Sequence, residues 1–290
     1  MAILDRITDP VYIFRPKQIL RRIKYAVFSP HTEDTVLASL PWQGQIEVWP
    51  FETIGRSILH RGVHDLAVTE ACFRLARPGG YSLDIGANVG QMTSALSQAS
   101  QPGGSVLSFE AHPDVFKLLK RNVYRIKESI GAGQVKAQNQ AVTNTDGKQF
   151  LHCPPIWKGN AGTASLSSTQ SERRIEVSCV RLDDVVEEEV DVAKIDVEGH
   201  EHEVFIGATT CLKKKHIKHI IFEDHAPQKS EAISFLRSMG YELYILQPEL
   251  LGPSIQKGVE GHSYNFIATC SPGHLEEQFS RSGWKCLRST

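Results

Sequence analysis

No run of the 290-residue chain approaches 18 consecutive apolar residues, so no segment is suited to cross a bilayer as a helix. The opening stretch, MAILDRITDPVYIF, is interrupted by Asp5 and Asp9 and lacks the apolar core of a secretory signal. Neither sign of charge is in excess: 32 Lys and Arg face 33 Asp and Glu, which excludes a chain-wide basic footprint for nucleic acid. Cysteine is sparse. Cys72, Cys153, Cys179, Cys211, Cys270 and Cys286 are far apart and show no paired metal spacing, which suits reduced thiols and a cytoplasmic setting. There is no Asn-x-Ser/Thr acceptor, no internal repeat and no low-complexity tract. What is present is ordinary globular composition, 41% hydrophobic and 22% charged, on a chain long enough to bury a sizeable core.

Residues 1–30 carry Arg6, Arg15, Lys17, Arg21, Arg22 and Lys24 against two acids. Ile19, Leu20, Ile23 and Val27 recur within them at helical spacing, which predicts a docking helix with a solvated basic face rather than one lying on a membrane. TVLASLPW and QIEVWP flank Gln43-Gly44 and predict a hairpin. Residues 1–60 therefore read as a helix and hairpin extension, and 61–290 as the main domain. From Gly80 short apolar strands alternate with amphipathic helices: YSLDIG, SVLSFE, QVKAQNQAV (134–142), VDVAKID and IKHIIFE. Such alternation predicts an α/β fold, a mostly parallel sheet with helices on both faces. KQFLHC and RIEVSCV alternate like a hairpin, and ELYILQ and YNFIATC close the chain as strands, antiparallel at the edge.

The strongest local signal is LDIGANVGQ, residues 83–91. Gly86 and Gly90 bracket a turn between a strand and a helix, at the carboxyl end where α/β sheets bind ligands. A dinucleotide fingerprint would need glycines where Asn88 and Gln91 stand, so a pyrophosphate nest is not encoded. Asp84 ends the first strand and suits a cationic group such as the amino end of a methionine moiety. Glu110 ends the second and suits both hydroxyls of a ribose. A ribose and an amino acid without a pyrophosphate describe S-adenosylmethionine. A nicotinamide oxidoreductase and a module that binds this cofactor without turnover are the competing readings.

With LDIGANVGQMT, FEAHPDVFKLLKRNV, QNQAVTNTDG, VRLDDVV and above all AKIDVEGHEHEVFIGA, the chain resembles the FkbM-type S-adenosylmethionine-dependent methyltransferases over about residues 44–250. The resemblance implies a class I, Rossmann-like methyltransferase fold. It implies O-methylation of a sugar, glycan or secondary-metabolite hydroxyl, with N-methylation of a peptide side chain as the alternative. It places Asp84, Gly86, Ala87, Asn88 and Gly90 in the cofactor turn, Glu110 with Ala111 at the ribose, and Asp196, Glu198, Gly199 and Glu201 in the acidic block after the fourth strand. One segment departs from the family pattern: Gly62-Val63-His64-Asp65 stands where Tyr or Phe usually precedes the acid.

Candidate bases cluster after two strands: Asp196, Glu198 and His200 after one, Glu223, Asp224 and His225 after the next. His225 is the preferred base because imidazole titrates near neutrality. No metal is expected, since a hard cation needs several oxygen ligands and a third is not evident. The run 183–203 holds ten acids against Lys194 alone; Glu187–Glu189, and Lys213–Lys215 with Lys218, read as solvated surface. Trp157, in an insertion between hairpin strands, is placed to cover an acceptor.

Overall fold

A computed structural model describes residues 9–27, 34–130, 134–153, 164–166 and 173–288. Trp157 lies outside them. Helices α1 (Pro10–Phe14) and α2 (Lys17–Val27) precede a hairpin of β1 (Val36–Ser39) and β2 (Gln45–Val48), with Gln43 at a left-handed φ of 68° in its turn. Then come α3 (Thr53–Arg61), α4 (Leu66–Leu75), β3 (Tyr81–Ile85), α5 (Gln91–Ala99), β4 (Ser105–Phe109), α6 (Pro113–Ile130) and β5 (Gln134–Gln138). A small sheet follows, of β6 (Ala141–Val142), β7 (Gly147–His152) and β8 (Arg174–Val180). The chain continues through β9 (Val190–Ile195), α7 (Glu201–Ile206), α8 (Thr209–Lys213), β10 (Ile217–Glu223), α9 (Glu231–Ser238), β11 (Glu242–Gln247), β12 (Ser254–Lys257), β13 (Asn265–Thr269) and α10 (Pro272–Phe279).

The main sheet runs β12-β11-β13-β10-β9-β3-β4-β5. Strands β5, β4, β3, β9 and β10 pair in parallel, and β13 runs antiparallel between β10 and β11. Helices cover both faces, so the central strands are largely apolar, and β9 is buried at every residue, Asp191 and Lys194 included. The chain leaves β3 outward to β4 and β5, then returns to β9 on the other side of β3. The carboxyl ends of β3 and β9 therefore flank the switch point, where a crevice opens.

Several expectations are met, and others are redrawn. β7 and β8 pair as the predicted hairpin. The strand expected over 134–142 is two strands in different sheets. Asn139 turns the chain, its side-chain amide donating to the carbonyls of Glu110 and Ala111. The two closing strands, β11 and β13, pair antiparallel as expected, and the edge of the sheet is a further antiparallel strand, β12, which sequence periodicity did not reveal. Helix α10 was not foreseen either.

The N-terminal extension shares the main core. Ala38, Leu40, Trp42, Ile46 and Val48 are buried in one cluster with Leu118 and Leu119 of α6. Glu47 accepts from Arg121 and Arg125 of the same helix, and the Trp42 indole donates to Ser94 Oγ at 2.9 Å. Helix α2 reverses the expected orientation: Gln18 is buried, whereas Ile19, Leu20 and Ile23 face solvent. A buried pair ties residues 278–286 down. Arg74 Nε donates to Glu70 Oε1 at 2.9 Å, while its Nη atoms donate to the carbonyls of Gln278, Arg281 and Gly283. Glu70 Oε2 accepts the Cys286 backbone N–H at 2.8 Å. All six cysteines are free thiols.

Candidate active site

The turn after β3 forces glycine. Gly86 has φ 73°, and a Cβ there would lie 1.8 Å from the Asp196 carbonyl oxygen. Backbone bonds hold the turn against both neighbouring strand ends: Gly86 and Ala87 donate to the Phe109 carbonyl, and Asp196 donates to that of Ile85. Asn88 is left-handed at φ 50°, which aims its N–H at Glu110 Oε2, 2.9 Å away. The His112 N–H donates to Glu110 Oε1 at 2.8 Å. Each carboxylate oxygen thus receives one backbone bond and keeps a lone pair for a ligand. Burial pushes the Glu110 carboxyl up to about 7, opposed by those two N–H groups.

Gly86, Ala87, Asn88, Glu110 and Ala111 all line a cleft at the switch point. Apolar side chains from the small sheet, among them Ala141, Val142 and Leu151, wall the same end. Gly90 does not line the cleft. It has φ 89°, and Leu119 Cδ1 would lie 2.7 Å from a Cβ, so it serves the approach of α5 to α6. Asp84 does not line it either. Strand alternation turns its side chain away from the cleft, where Thr93 Oγ1 of α5 donates to Oδ2 at 2.6 Å. Asp84 is completely buried, and burial holds its carboxyl above the usual range, against the pull of Lys194 and Thr93.

Lys194 is the residue that sequence reading passed over. It sits on the buried strand β9, and its ammonium lies 3.0 Å from the Gly86 carbonyl, 3.4 Å from Asp196 Oδ2 and 3.9 Å from Asp84 Oδ1. Burial alone would lower its pKa, but the two carboxylates outweigh that and raise it, so the group is a fixed cation. The available signal was its place as the one base among ten acids, at the end of an apolar strand.

The far half of the cleft is acidic. Asp196, Glu198 and Glu223 line it, joined by His64 and Asp65 from the start of α4 and by Asn265 from β13. Glu198 and Gly199 are both left-handed, at φ 56° and 84°, and Glu201 Oε1 accepts from the Val197 and Gly199 N–H groups beneath them. Glu201 is thus a brace for the loop. The helix cap position falls on His200 rather than Glu198, and His200 bonds Thr143 Oγ1 at 2.8 Å. Glu198 stands at the cleft mouth. Partial desolvation, then the like charges of Asp196 and Glu223, push it up to about 7. Glu223 is raised for the same reasons. Burial lowers the His64 imidazole, whose backbone is clamped by Gln91 through both its N–H and its carbonyl.

His225 is elsewhere. Its side chain is 72% exposed, 3.2 Å from Glu223 Oε1 and against the Tyr264 ring, outside the cleft wall. Two residues past the strand end, the chain has already turned out toward solvent, with Asp224 accepting the Ala226 N–H. The preferred base of the sequence reading therefore does not face the cleft, whereas the other three candidates do. Among the described residues no three His, Cys, Asp or Glu side chains converge as metal ligands.

Comparison with known proteins returns methyltransferases. A hexuronic acid methyltransferase from Haloferax volcanii, AglP, is 29% identical over 147 residues, covering 49% of this chain and 55% of that protein. The crystal structure of methyltransferase FkbM from Methylobacillus flagellatus aligns with TM-score 0.47 and 11% identity, over 69% of this chain and 50% of that one. A TehB-like SAM-dependent methyltransferase from Corynebacterium glutamicum aligns with TM-score 0.39 and 12% identity, over 74% and 91%. The matches thus span about half the length of the curated relative and of the first of these structures. The family model for the methyltransferase FkbM domain matches residues 84–243, more than half of the chain, from the end of β3 into β11. The chain belongs to the FkbM methyltransferase domain family.

Proposed function

We propose that the chain transfers a methyl group from S-adenosylmethionine to a hydroxyl of a neutral sugar or glycan. The observation that carries this is one cleft with two chemically different halves: a glycine turn and Glu110 at one end, and Asp196, Glu198 and Glu223 at the other. The first half fits the nucleoside of the cofactor. Glu110 keeps two free lone pairs side by side for the ribose hydroxyls, and the apolar wall beyond suits an adenine ring. When bound, S-adenosylmethionine supplies an electrophilic methyl on a sulfonium, which leaves as a neutral thioether.

The chain's own residues do the rest. Holding the acceptor in line contributes roughly 7–11 kcal/mol, against about 3–5.5 kcal/mol for a base, so the rigid strand ends matter most. Glu198, with a pKa near neutrality and a place at the mouth, accepts the hydroxyl proton. Asp196 and Glu223 hydrogen-bond neighbouring hydroxyls. Three carboxylates disfavour a carboxylated acceptor, which is why a neutral sugar is proposed although the curated relative is named for a hexuronic acid.

The test incubates the protein with methyl-labelled cofactor and a panel of neutral saccharides, uronic acids and peptides. Alkali-stable label on a neutral saccharide is expected, marking an ether. Alkali-labile label, or label on peptides alone, overturns the acceptor. In the same assay Glu198→Gln is expected to lower kcat about 10²–10³-fold and to remove the fall in rate below about pH 7. An unchanged pH profile refutes the base.

A further inference from the structure

We propose that α1 and α2 form a peripheral membrane-binding face that seats on an anionic lipid surface. Amphipathic helices normally turn their apolar stripe inward. Here the stripe faces out: Leu20 is 70% exposed, Ile23 54%, Ile13 48%, Phe14 43% and Ile19 42%. Five of the twelve exposed large hydrophobic side chains among the described residues thus fall within residues 13–23. The inward side keeps Val11 and Tyr12 of α1 and part of Tyr25, but α2 otherwise turns polar groups toward the hairpin. Gln18 is buried, Arg15 and Arg21 donate to the carbonyls of Pro41 and Ser39, and Arg22 donates to the Tyr12 hydroxyl. These bonds fix the helix's rotation about its axis, so the apolar residues are held outward.

The charge around the stripe names the occupant. Residues 10–27 hold Arg15, Lys17, Arg21, Arg22 and Lys24 and no Asp or Glu. The bonds that Arg15, Arg21 and Arg22 make to the hairpin and to Tyr12 go to neutral oxygens, which do not offset their charge. Lys17 and Lys24 are exposed beside the stripe. Apolar side chains ringed by cations match the boundary between acyl chains and anionic headgroups. A second copy of this chain fits poorly, because two-fold pairing would set the cationic patch against itself. The docking helix expected from sequence put the same residues the other way round.

The test is sedimentation of the full chain with vesicles of phosphatidylcholine alone and of phosphatidylcholine mixed with phosphatidylglycerol. Binding to the mixed vesicles, weak binding to the neutral ones, and release by salt are expected. Lys17→Gln with Lys24→Gln should weaken binding roughly fivefold per charge. Leu20→Ser with Ile23→Ser should weaken it at least about tenfold, and both residues are exposed enough to leave folding intact. Absence of binding to the mixed vesicles, equal binding to both kinds, or patch variants that bind like the parent overturns the proposal. So does light scattering that shows a stable dimer dissolved by the Leu20 and Ile23 changes.

Discussion

Replacing Lys194 by Met is the sharpest perturbation of the cofactor turn. The ammonium links the Gly86 carbonyl to Asp196 and stands 3.9 Å from Asp84, a carboxylate with no exposure. Asp84 Oδ1 has no hydrogen-bond partner, so the lysine is its main compensation. Removing one partner of a buried pair costs about 3–5 kcal/mol. Asp196 is 42% exposed, and its share should stay below ~1 kcal/mol. The sign with pH follows from Asp84. Burial already holds its folded pKa above the unfolded value, and withdrawing Lys194 raises it further. The folded variant then keeps a proton that the unfolded chain has released, so its stability falls as pH rises above ~4. Urea unfolding should therefore show a penalty of about 1 kcal/mol near pH 5, mostly the lost bond to Gly86, growing to ~3–5 kcal/mol near pH 8. Adding Asp84→Asn should recover most of the loss at the higher pH. A variant as stable as the parent at both pH values, or a double variant no better than the single, refutes the reasoning.

Glu110→Ala removes charge-assisted bonds worth roughly 1.5–3 kcal/mol, so calorimetry should show affinity for S-adenosylmethionine falling about ten- to a hundredfold. An unchanged affinity in a folded variant would remove Glu110 from the ribose. His225 touches the outer side of Glu223 and the Tyr264 ring, so His225→Ala should keep kcat within about twofold of the parent; a hundredfold loss would restore the histidine as the base.

The parallel half of the fold was legible because burial on both faces writes largely apolar strands, and because Gly86 answers to a steric demand that no other residue meets. The acidic half was legible only in part. Asp196, Glu198 and Glu223 reach the cleft as their strand-end positions imply, but His225 is turned out by a loop whose direction no periodicity encodes. Lys194 was missed because a lone base in an acidic run resembles a surface charge until β9 is known to be buried. Helix α2 shows the reverse failure: its spacing was right, but which face turns inward was decided by arginine bonds to the hairpin carbonyls. The end of β5 was misjudged for a similar reason, since Asn139 breaks the ladder through its side chain.

Helix α4 has two ends with different duties. Asp65 caps the first, bonds Asn265 and lines the cleft. Arg74 and Glu70 grip residues 278–286 at the second. Every acceptor that Arg74 takes from those residues is a carbonyl, and Glu70 takes the Cys286 backbone amide. These bonds therefore read the course of the backbone. Trp284 and Cys286 are also packed into the core and Phe279 lies against the Arg74 guanidinium, so those side chains are held as well, while a single inserted or deleted residue would slide the carbonyls out of register and leave two charges stranded in the interior.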